Sequence, residues 1–555
     1  MEQSLKVYCK NIDSYVDING GDTLFDVYNV VKDKIAITPI CAHVNYKTEG
    51  LSFRIYSPKH VEFIDASHPS GNRVYIRSLC MILYKALAKF YPGMRLRIEH
   101  SISKGYFCRI YGLEITPEVI ATLKAEMQAI VDADLPFVRH ERLTKDVVEM
   151  FRQQGLADKV ALLETSQELY TVYYTLGDIA DSYYSALAPS TGYIKYFDLV
   201  PDHDGMILLG RSKTEPNAAE RPVPQEKMFE AFAEHTEFNE SLGIGDVGSL
   251  NKAVQSNQTS MLINVAEALH SKVFSRIAYQ IAERHKRGEA RIVLISGPSS
   301  SGKTTSTKRL AIQLMTHFIR PKMISLDNYF VNREDTPLDE NGEYDYESLY
   351  ALDLEQFNAD LNTLLAGGEV KMPTYDFEQG KRVYKGDVMK LDENDVLLIE
   401  GIHGLNPELT RQVPDNQKFK LYISALTTLS IDDHNWIPTR DNRLLRRIIR
   451  DHKYRGVSAR DTIARWQSVG AGEDKWIFPF QENADATFNS SLIFELGVMK
   501  EYAEPILKKV PRDVPEYAEA QRLRTFLDYF LPISERQIPS TSLLREFLGG
   551  SSFHY

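Results

Sequence analysis

Cysteine is scarce and poorly placed for cross-linking: Cys9, Cys41, Cys80 and Cys108 are the four in 555 residues, all within the first fifth of the chain and none in a CxxC spacing. That excludes a disulfide framework and a zinc knuckle, and predicts reduced core thiols. Long apolar runs are missing too. Nothing approaches the roughly 18 consecutive apolar residues of a membrane span, so no membrane partner is expected. The opening MEQSLKVYCKNIDSY has polar and acidic residues where a signal peptide would carry its apolar stretch, which predicts a cytoplasmic protein. Internal repeats and low-complexity tracts are absent. Net positive charge is lacking as well: the formal charge of −11 disfavours a general nucleic-acid coat. One stretch runs the other way. Between residues 59 and 109, Lys59, Arg73, Arg77, Lys85, Lys89, Arg95, Arg97, Lys104 and Arg109 face Glu62, Asp65 and Glu99. This excess fits a solvated surface as well as an RNA or tRNA footprint.

At about 150 residues per domain the length predicts three or four domains. Residues 5–60 read as a small β-rich module, with strands at VYCKNI, YVDING, AHVNY and LSFRIY and a short helix from Thr23 to Val31. An α+β unit follows, with helices over 78–91 and 117–133 and strands RLRIEHSI and YFCRIYGLEI. Proline and charge in KTEPNAAERPVPQE, residues 213–226, mark a linker. An amphipathic helix beginning near Met261 then leads into the last domain.

The strongest chemical signal is at 291–305. The apolar Ile292, Val293, Leu294 and Ile295 lead into Gly297, Pro298, Ser299, Ser300, Ser301, Gly302, Lys303, Thr304 and Thr305, followed by Lys308, Leu310, Ala311, Leu314 and Met315 at helical spacing. A strand, a glycine loop and a helix starting at the lysine converge backbone N–H groups and a helix N-terminus on one point, as a polyphosphate requires. Lys303 neutralises the β and γ oxygens, the Thr304 hydroxyl is placed to ligate Mg²⁺, and Gly297 and Gly302 admit the phosphates to the backbone. The purine triphosphate expected is ATP, with GTP left open.

Beyond this loop, apolar strands RIVLIS, KMISLD, DVLLIE, KFKLYIS and ATFNSS alternate with helices, which predicts a parallel sheet covered on both faces. Ligands of such sheets sit at the carboxyl ends of the strands. Asp327 and Glu400 fall there. Transfer of a phosphoryl group to a hydroxyl needs Mg²⁺, positive charge and an oxygen base. Asp327 suits the base, and Glu400 suits binding Mg²⁺ directly or orienting what does. Arg443, Arg446, Arg447, Arg450 and Arg455 share one predicted helix and its exit, either as a solvated face or as a mobile lid bringing positive charge to the transferred group.

These pieces, with SLDNYF, EYDYES, MPTYDF, LLIEGIHGLNP and RLLRRIIRDHKYRG in that order, resemble the uridine kinase and phosphoribulokinase family. The resemblance implies transfer of the γ-phosphoryl group to a sugar 5′-hydroxyl. Asp327 and Lys303 would be catalytic, Tyr329, Asp345 and Tyr375 would line the nucleoside site, and Arg447, Arg450 and Arg455 would form the lid. Gly380 stands where uridine and cytidine kinases carry a histidine that reads the pyrimidine, and the lid reads Arg455, Gly456, Val457. The front part resembles a TGS module followed by the second N-terminal domain of threonyl-tRNA synthetase, through HSISKGYFCRI, DLPFVRHE and GDIADSYYSALAPSTGYIKYFDL. The positions of that domain's metal ligands hold Arg77, Met81, Tyr183 and Leu187 here, which implies a dismantled hydrolytic site and a scaffold for binding or assembly.

The expected organisation is therefore a TGS-like module at 1–60, an editing-like domain at 61–225, a linker and connecting helix at 226–288, and a P-loop α/β kinase domain at 289–555, with the part from about residue 226 folding alone. The expected activity is an ATP- and Mg²⁺-dependent nucleoside kinase. Alternatives are a kinase of a non-nucleoside alcohol such as a sugar phosphate, and an RNA-binding regulator switched by nucleotide. A homo-oligomer is left open.

Overall fold

The computed structural model describes residues 4–339 and 342–554. Its C-terminal part is built on a five-stranded, all-parallel sheet in the spatial order Arg320–Ser325, Asp395–Glu400, Ile292–Ser296, Lys418–Ser424, Ala486–Asn489. The apolar runs are continuous because each central strand is buried on both sides. Val293, Ile295, Val396 and Leu398 face the long helix Thr259–Lys286 and the loop helix Lys303–Met315. Ile292, Leu294, Leu397 and Ile399 face the helix Leu354–Leu365 on the other side. Each such side chain contributes about 1.5–3 kcal/mol by leaving water, so the central strands are the stable floor on which the loop rests. All five strands expected from the sequence form.

The front part begins with a five-stranded sheet in the order Ser14–Asn19, Ser4–Cys9, His60–Ile64, Cys41–Val44, Lys47–Glu49, covered by the helix Leu24–Val31. That helix starts in a capping box between Thr23 and Asp26. Two expectations are corrected here. Leu51–Tyr56 is not a strand: Leu51 and Ile55 plug the core from a loop that bridges Thr23 to Arg54 and is tied to residues 21–25 by further backbone hydrogen bonds. The strand that pairs with Ser4–Cys9 and Cys41–Val44 is His60–Ile64, so the first module runs past residue 60. The second unit packs the helix Pro69–Phe90 on a four-stranded sheet that includes Arg95–Ile102 and Gly105–Tyr111. The four cysteines are buried thiols. Among the described residues no helix is long and apolar enough to cross a membrane.

After the exposed, irregular linker, the helix Glu226–Ser241 returns to pack between the two parts. The expectation that residues from 226 onward stand alone meets a buried polar joint. A hairpin of the C-terminal part, Ser430–Trp436, is wedged into the front part. Lys159 lies 2.7 Å from Asp181 and 3.0 Å from Asp432, and His434 Nδ1 lies 2.8 Å from the second oxygen of Asp181; all four side chains are at most 3% exposed. Arg95 makes a two-pronged contact with Asp433, Ile98 donates its N–H to the Asp433 carbonyl, and Arg73 pairs with Glu519. Charges removed from water this far hold only while every partner stays in place.

Candidate active site

Gly297 leaves the end of the strand Ile292–Ser296 so close to its neighbour that a Cβ there would lie 2.0 Å from the Ile423 carbonyl oxygen. The loop therefore leans directly on backbone and turns into the helix at Lys303. Lys303 Nζ donates to the Pro298 carbonyl at 3.1 Å, and Thr304 Oγ1 donates to Glu400 Oε1 at 3.3 Å. Burial lowers the Lys303 ammonium, opposed by Glu400 and Asp327.

Asp327 sits two residues beyond its strand in the 3-10 turn Leu326–Tyr329, at the carboxyl edge of the sheet. Crowding by the surrounding protein raises its carboxyl, while Lys303, Arg455 and Arg450 pull it down. Asp327 remains exposed by area, so solvent tempers the rise. Glu400 is pushed up to about 7, first by burial, then by Asp327, with Lys303 opposing. Two carboxyls that repel one another beside a threonine hydroxyl form an oxygen-rich set suited to a hard divalent cation. Thr304 and Glu400 fit Mg²⁺ on that chemistry, and the cation would relieve the repulsion that raises Glu400.

The arginine run divides into two groups. Arg443 and Arg446, on the helix Thr439–Tyr454, are buried and cannot belong to a mobile lid. Arg443 binds Glu473 at 2.5 and 2.8 Å and donates to the Ser299 carbonyl, while Glu473 also accepts the Ser299 N–H at 3.1 Å. Arg446 pairs with Glu495 and reaches the carbonyls of Ser300 and Ser490. These two buried pairs splint the phosphate loop. Arg447, Arg450 and Arg455 lie further along, where Arg447 donates to Ser299 Oγ at 3.1 Å and Arg455 to Asp451 at 3.1 Å. Burial pushes Arg450 down to about 10, which leaves it charged at neutral pH. Together with Lys303 they surround Asp327 and the loop with positive charge. Glu473 and Glu546, which contact the loop, and Glu495, which acts on it through Arg446, carry no signature in sequence because they lie roughly 170–250 residues away from it.

On the acceptor side, Tyr375 in the strand Glu369–Asp376 is 9% exposed and packs edge-on against Phe330 and Phe377, its N–H donating to Asn328 Oδ1. Asp345 lies on the neighbouring loop beside Glu347, whose carboxyl is raised by burial and opposed by Arg447. Tyr329 does not line the cleft: it is fully buried against Phe357 and its hydroxyl donates to Asp360 at 2.9 Å, so its expected substrate contact is corrected to a core role. Gly380 closes the turn after Phe377 at φ +67°, and a Cβ there would come within 2.8 Å of the Arg333 Cβ. Arg333 thus fills the space into which a side chain at 380 would grow.

In the front part, Arg77, Met81, Tyr183 and Leu187 are all buried in the core, with Arg77 lying 4.2 Å over the ring of Tyr184. The basic stretch is largely spent internally. Lys85, Lys89, Lys104 and Arg109 pair with Asp178, Glu126, Glu220 and Glu99, while Arg73, Arg95 and Arg97 pair with Glu519, Asp433 and Glu240. Of these cations Lys89, Arg95 and Lys104 stay half-exposed, and exposed ion pairs of this kind contribute only about 0–1 kcal/mol.

The sequence model of the Phosphoribulokinase / Uridine kinase family matches residues 292–492. The uridine kinase of Bacillus licheniformis is 32% identical over 178 residues, covering 32% of this chain and 75% of that protein. The threonine–tRNA ligase of Carboxydothermus hydrogenoformans is 27% identical over 180 residues, and the N-terminal region is similar to such ligases. The chain spans only 28% of that ligase's length. A solved D-glycerate 3-kinase from Cryptococcus neoformans is 14% identical over 46% of this chain and 87% of its own, with a TM-score of 0.23.

Proposed function

Because the chain belongs to the phosphoribulokinase and uridine kinase family, whose members are phosphotransferases acting on alcohols, we propose that it transfers the γ-phosphoryl group of ATP to the 5′-hydroxyl of a nucleoside, giving the 5′-monophosphate and ADP. The observation that supports this reading is Asp327 within the field of Lys303, Arg455 and Arg450, with the adjacent Asn328 accepting the N–H of Tyr375, which packs against Phe330 and Phe377. A nucleotide-dependent switch would need the loop, Thr304 and Glu400, but no carboxylate facing an acceptor.

The acceptor hydroxyl gives its proton to the Asp327 carboxylate as its oxygen bonds to the γ-phosphorus and the bond to the β-phosphate bridging oxygen breaks. Lys303 and the arginines meet the charge that spreads over the equatorial oxygens. Mg²⁺, held by Thr304 and Glu400, supplies further neutralisation of the phosphates when bound. The aromatic wall of Phe330, Tyr375 and Phe377 offers, in this reading, a face for a base, and Asp345 holds the ribose. In this reading the front part is a TGS-like module and an editing-like domain without metal ligands, serving as a scaffold docked on the kinase part.

One observation favours a second acceptor class. Arg333 occupies the space beside Gly380, and a guanidinium suits an anionic group better than a pyrimidine edge. A screen of ADP release against nucleosides, sugar phosphates and sugar acids decides between them. Turnover with uridine or cytidine supports the first reading. Turnover only with anionic acceptors supports the second, and none with any alcohol refutes both.

A further inference from the structure

Near the end of the chain, the short helix Arg545–Leu548 lays the carboxylate of Glu546 on the N-terminus of the loop helix. Glu546 Oε2 accepts from Thr305 Oγ1 at 2.6 Å and from the Thr305 backbone N–H at 3.3 Å. Its other oxygen lies 3.9 Å from Arg450 Nη1, and the side chain is only 10% exposed. Its charge also reaches Lys303 and Glu400. The flanking residues hold it there. Leu543 is fully buried and its Cδ2 would stand 2.4 Å from a Cβ on Gly302. Phe547, also fully buried, lies under the Arg446 guanidinium at 5.2 Å. Lys453 donates to the Leu548 carbonyl and Lys308 to the His554 carbonyl.

A phosphate loop works by presenting the N–H groups of a helix's first turn to phosphate oxygens. Thr305 is in that turn, two residues after the lysine. A carboxylate at this point satisfies an orphan donor and meets the positive end of the helix, which is what a phosphate oxygen does there. Two anionic oxygens cannot occupy the same place on the Thr305 N–H, and two adjacent anions there would repel one another. We propose that Glu546 is a tethered competitor of the nucleotide: the C-terminal segment is an autoinhibitory latch whose carboxylate holds the place of a phosphate and must leave when a polyphosphate enters. This rests on reading the loop as the ATP site.

Such a latch weakens apparent nucleotide affinity by the fraction of molecules in which it is open, and releasing it restores the intrinsic value. Full-length wild type, Glu546→Gln and Glu546→Ala are titrated calorimetrically with ADP, with inorganic tripolyphosphate and with adenosine. Both variants are expected to bind ADP and tripolyphosphate about ten-fold more tightly than wild type, with adenosine unchanged, since only the phosphates meet Glu546. A wild type that binds ADP beside folded variants that bind it no tighter overturns the latch and leaves the nucleotide site standing. Failure of all three proteins to bind ADP or tripolyphosphate removes the nucleotide-site reading itself, and the latch with it. Hydrogen exchange on the wild type gives a test that needs no variant: amides of residues 545–549 should lose protection when ADP is added, and unaltered protection under saturating ADP overturns the latch.

Discussion

Replacing Lys159 by methionine keeps the volume of a fully buried side chain and deletes its charge. The ammonium is 2.7 Å from Asp181, 3.0 Å from Asp432 and 3.3 Å from the Ser182 carbonyl. The two carboxylates keep other hydrogen bonds in the variant: Asp181 to His434, and Asp432 to Asn435 and the His434 N–H. What they lose is the counter-charge, and breaking a buried pair from one side costs about 3–5 kcal/mol. The pH dependence has a definite sign. Burial pushes Asp432 up to about 6 even with Lys159 opposing it, and burial also raises Asp181, but Lys159 and His434 hold that carboxyl well below its ordinary range. Without the lysine both carboxyls bind protons more tightly in the native state. A carboxyl whose native pKa exceeds its unfolded value stabilises the fold at low pH and loses that contribution as pH rises through the native pKa. The deficit of Lys159→Met should therefore be largest near pH 8 and shrink as pH falls through 6. Urea unfolding of the full chain at both pH values, beside Arg139→Met as a control from an exposed pair worth about 0–1 kcal/mol, measures it. A deficit at pH 8 no larger than the control's, or one that grows on acidification, would refute the account of this joint.

Asp327→Asn should lower turnover by about two orders of magnitude or more with ATP binding nearly unchanged, since the loop is untouched; activity above about a tenth of wild type in a steady-state assay removes Asp327 as base. Lys303→Ala should weaken ATP affinity and rate together, and titration showing unaltered ATP affinity would take the loop out of nucleotide binding. Residues 226–555 expressed alone should be insoluble or loosely folded, because Asp432, His434, Asp433 and Glu519 lose Lys159, Asp181, Arg95 and Arg73; a monodisperse, ATP-binding fragment in gel filtration would contradict this.

What the sequence made legible was whatever is local and periodic. The strand–loop–helix around Lys303 follows from an apolar run, two glycines and helical spacing within 25 residues, and the central sheet strands follow from burial on both faces. Asp327 and Glu400 were readable because chemistry in such sheets sits at strand ends. The arginine run could be located but not divided: Arg443 and Arg447 look alike in sequence, and only the distant Glu473 turns the first into a buried splint. Tyr329 sits beside the base in sequence, yet the 3-10 turn rotates its ring into the core. The alternation in Leu51–Tyr56 imitates a strand because a loop can also bury every second or fourth residue. Neither the Lys159 cluster nor Glu546 has any local signature, since Asp432 and His434 lie more than 200 residues from Lys159 and Asp181, and Thr305 lies as far from Glu546.

The splinting of the phosphate loop bears on how the protein is made. Residues 297–305 leave the ribosome first, but the carboxylates that splint them, Glu473 directly and Glu495 through Arg446, emerge roughly 170–200 residues later. At about 5–20 residues per second, the loop spends some ten seconds or more without its supports. The loop is therefore complete in sequence well before the buried pairs that splint it can form. Stalled or prematurely ended chains that stop before residue 473 would carry the complete GPSSSGKTT motif and still lack the supports that hold it.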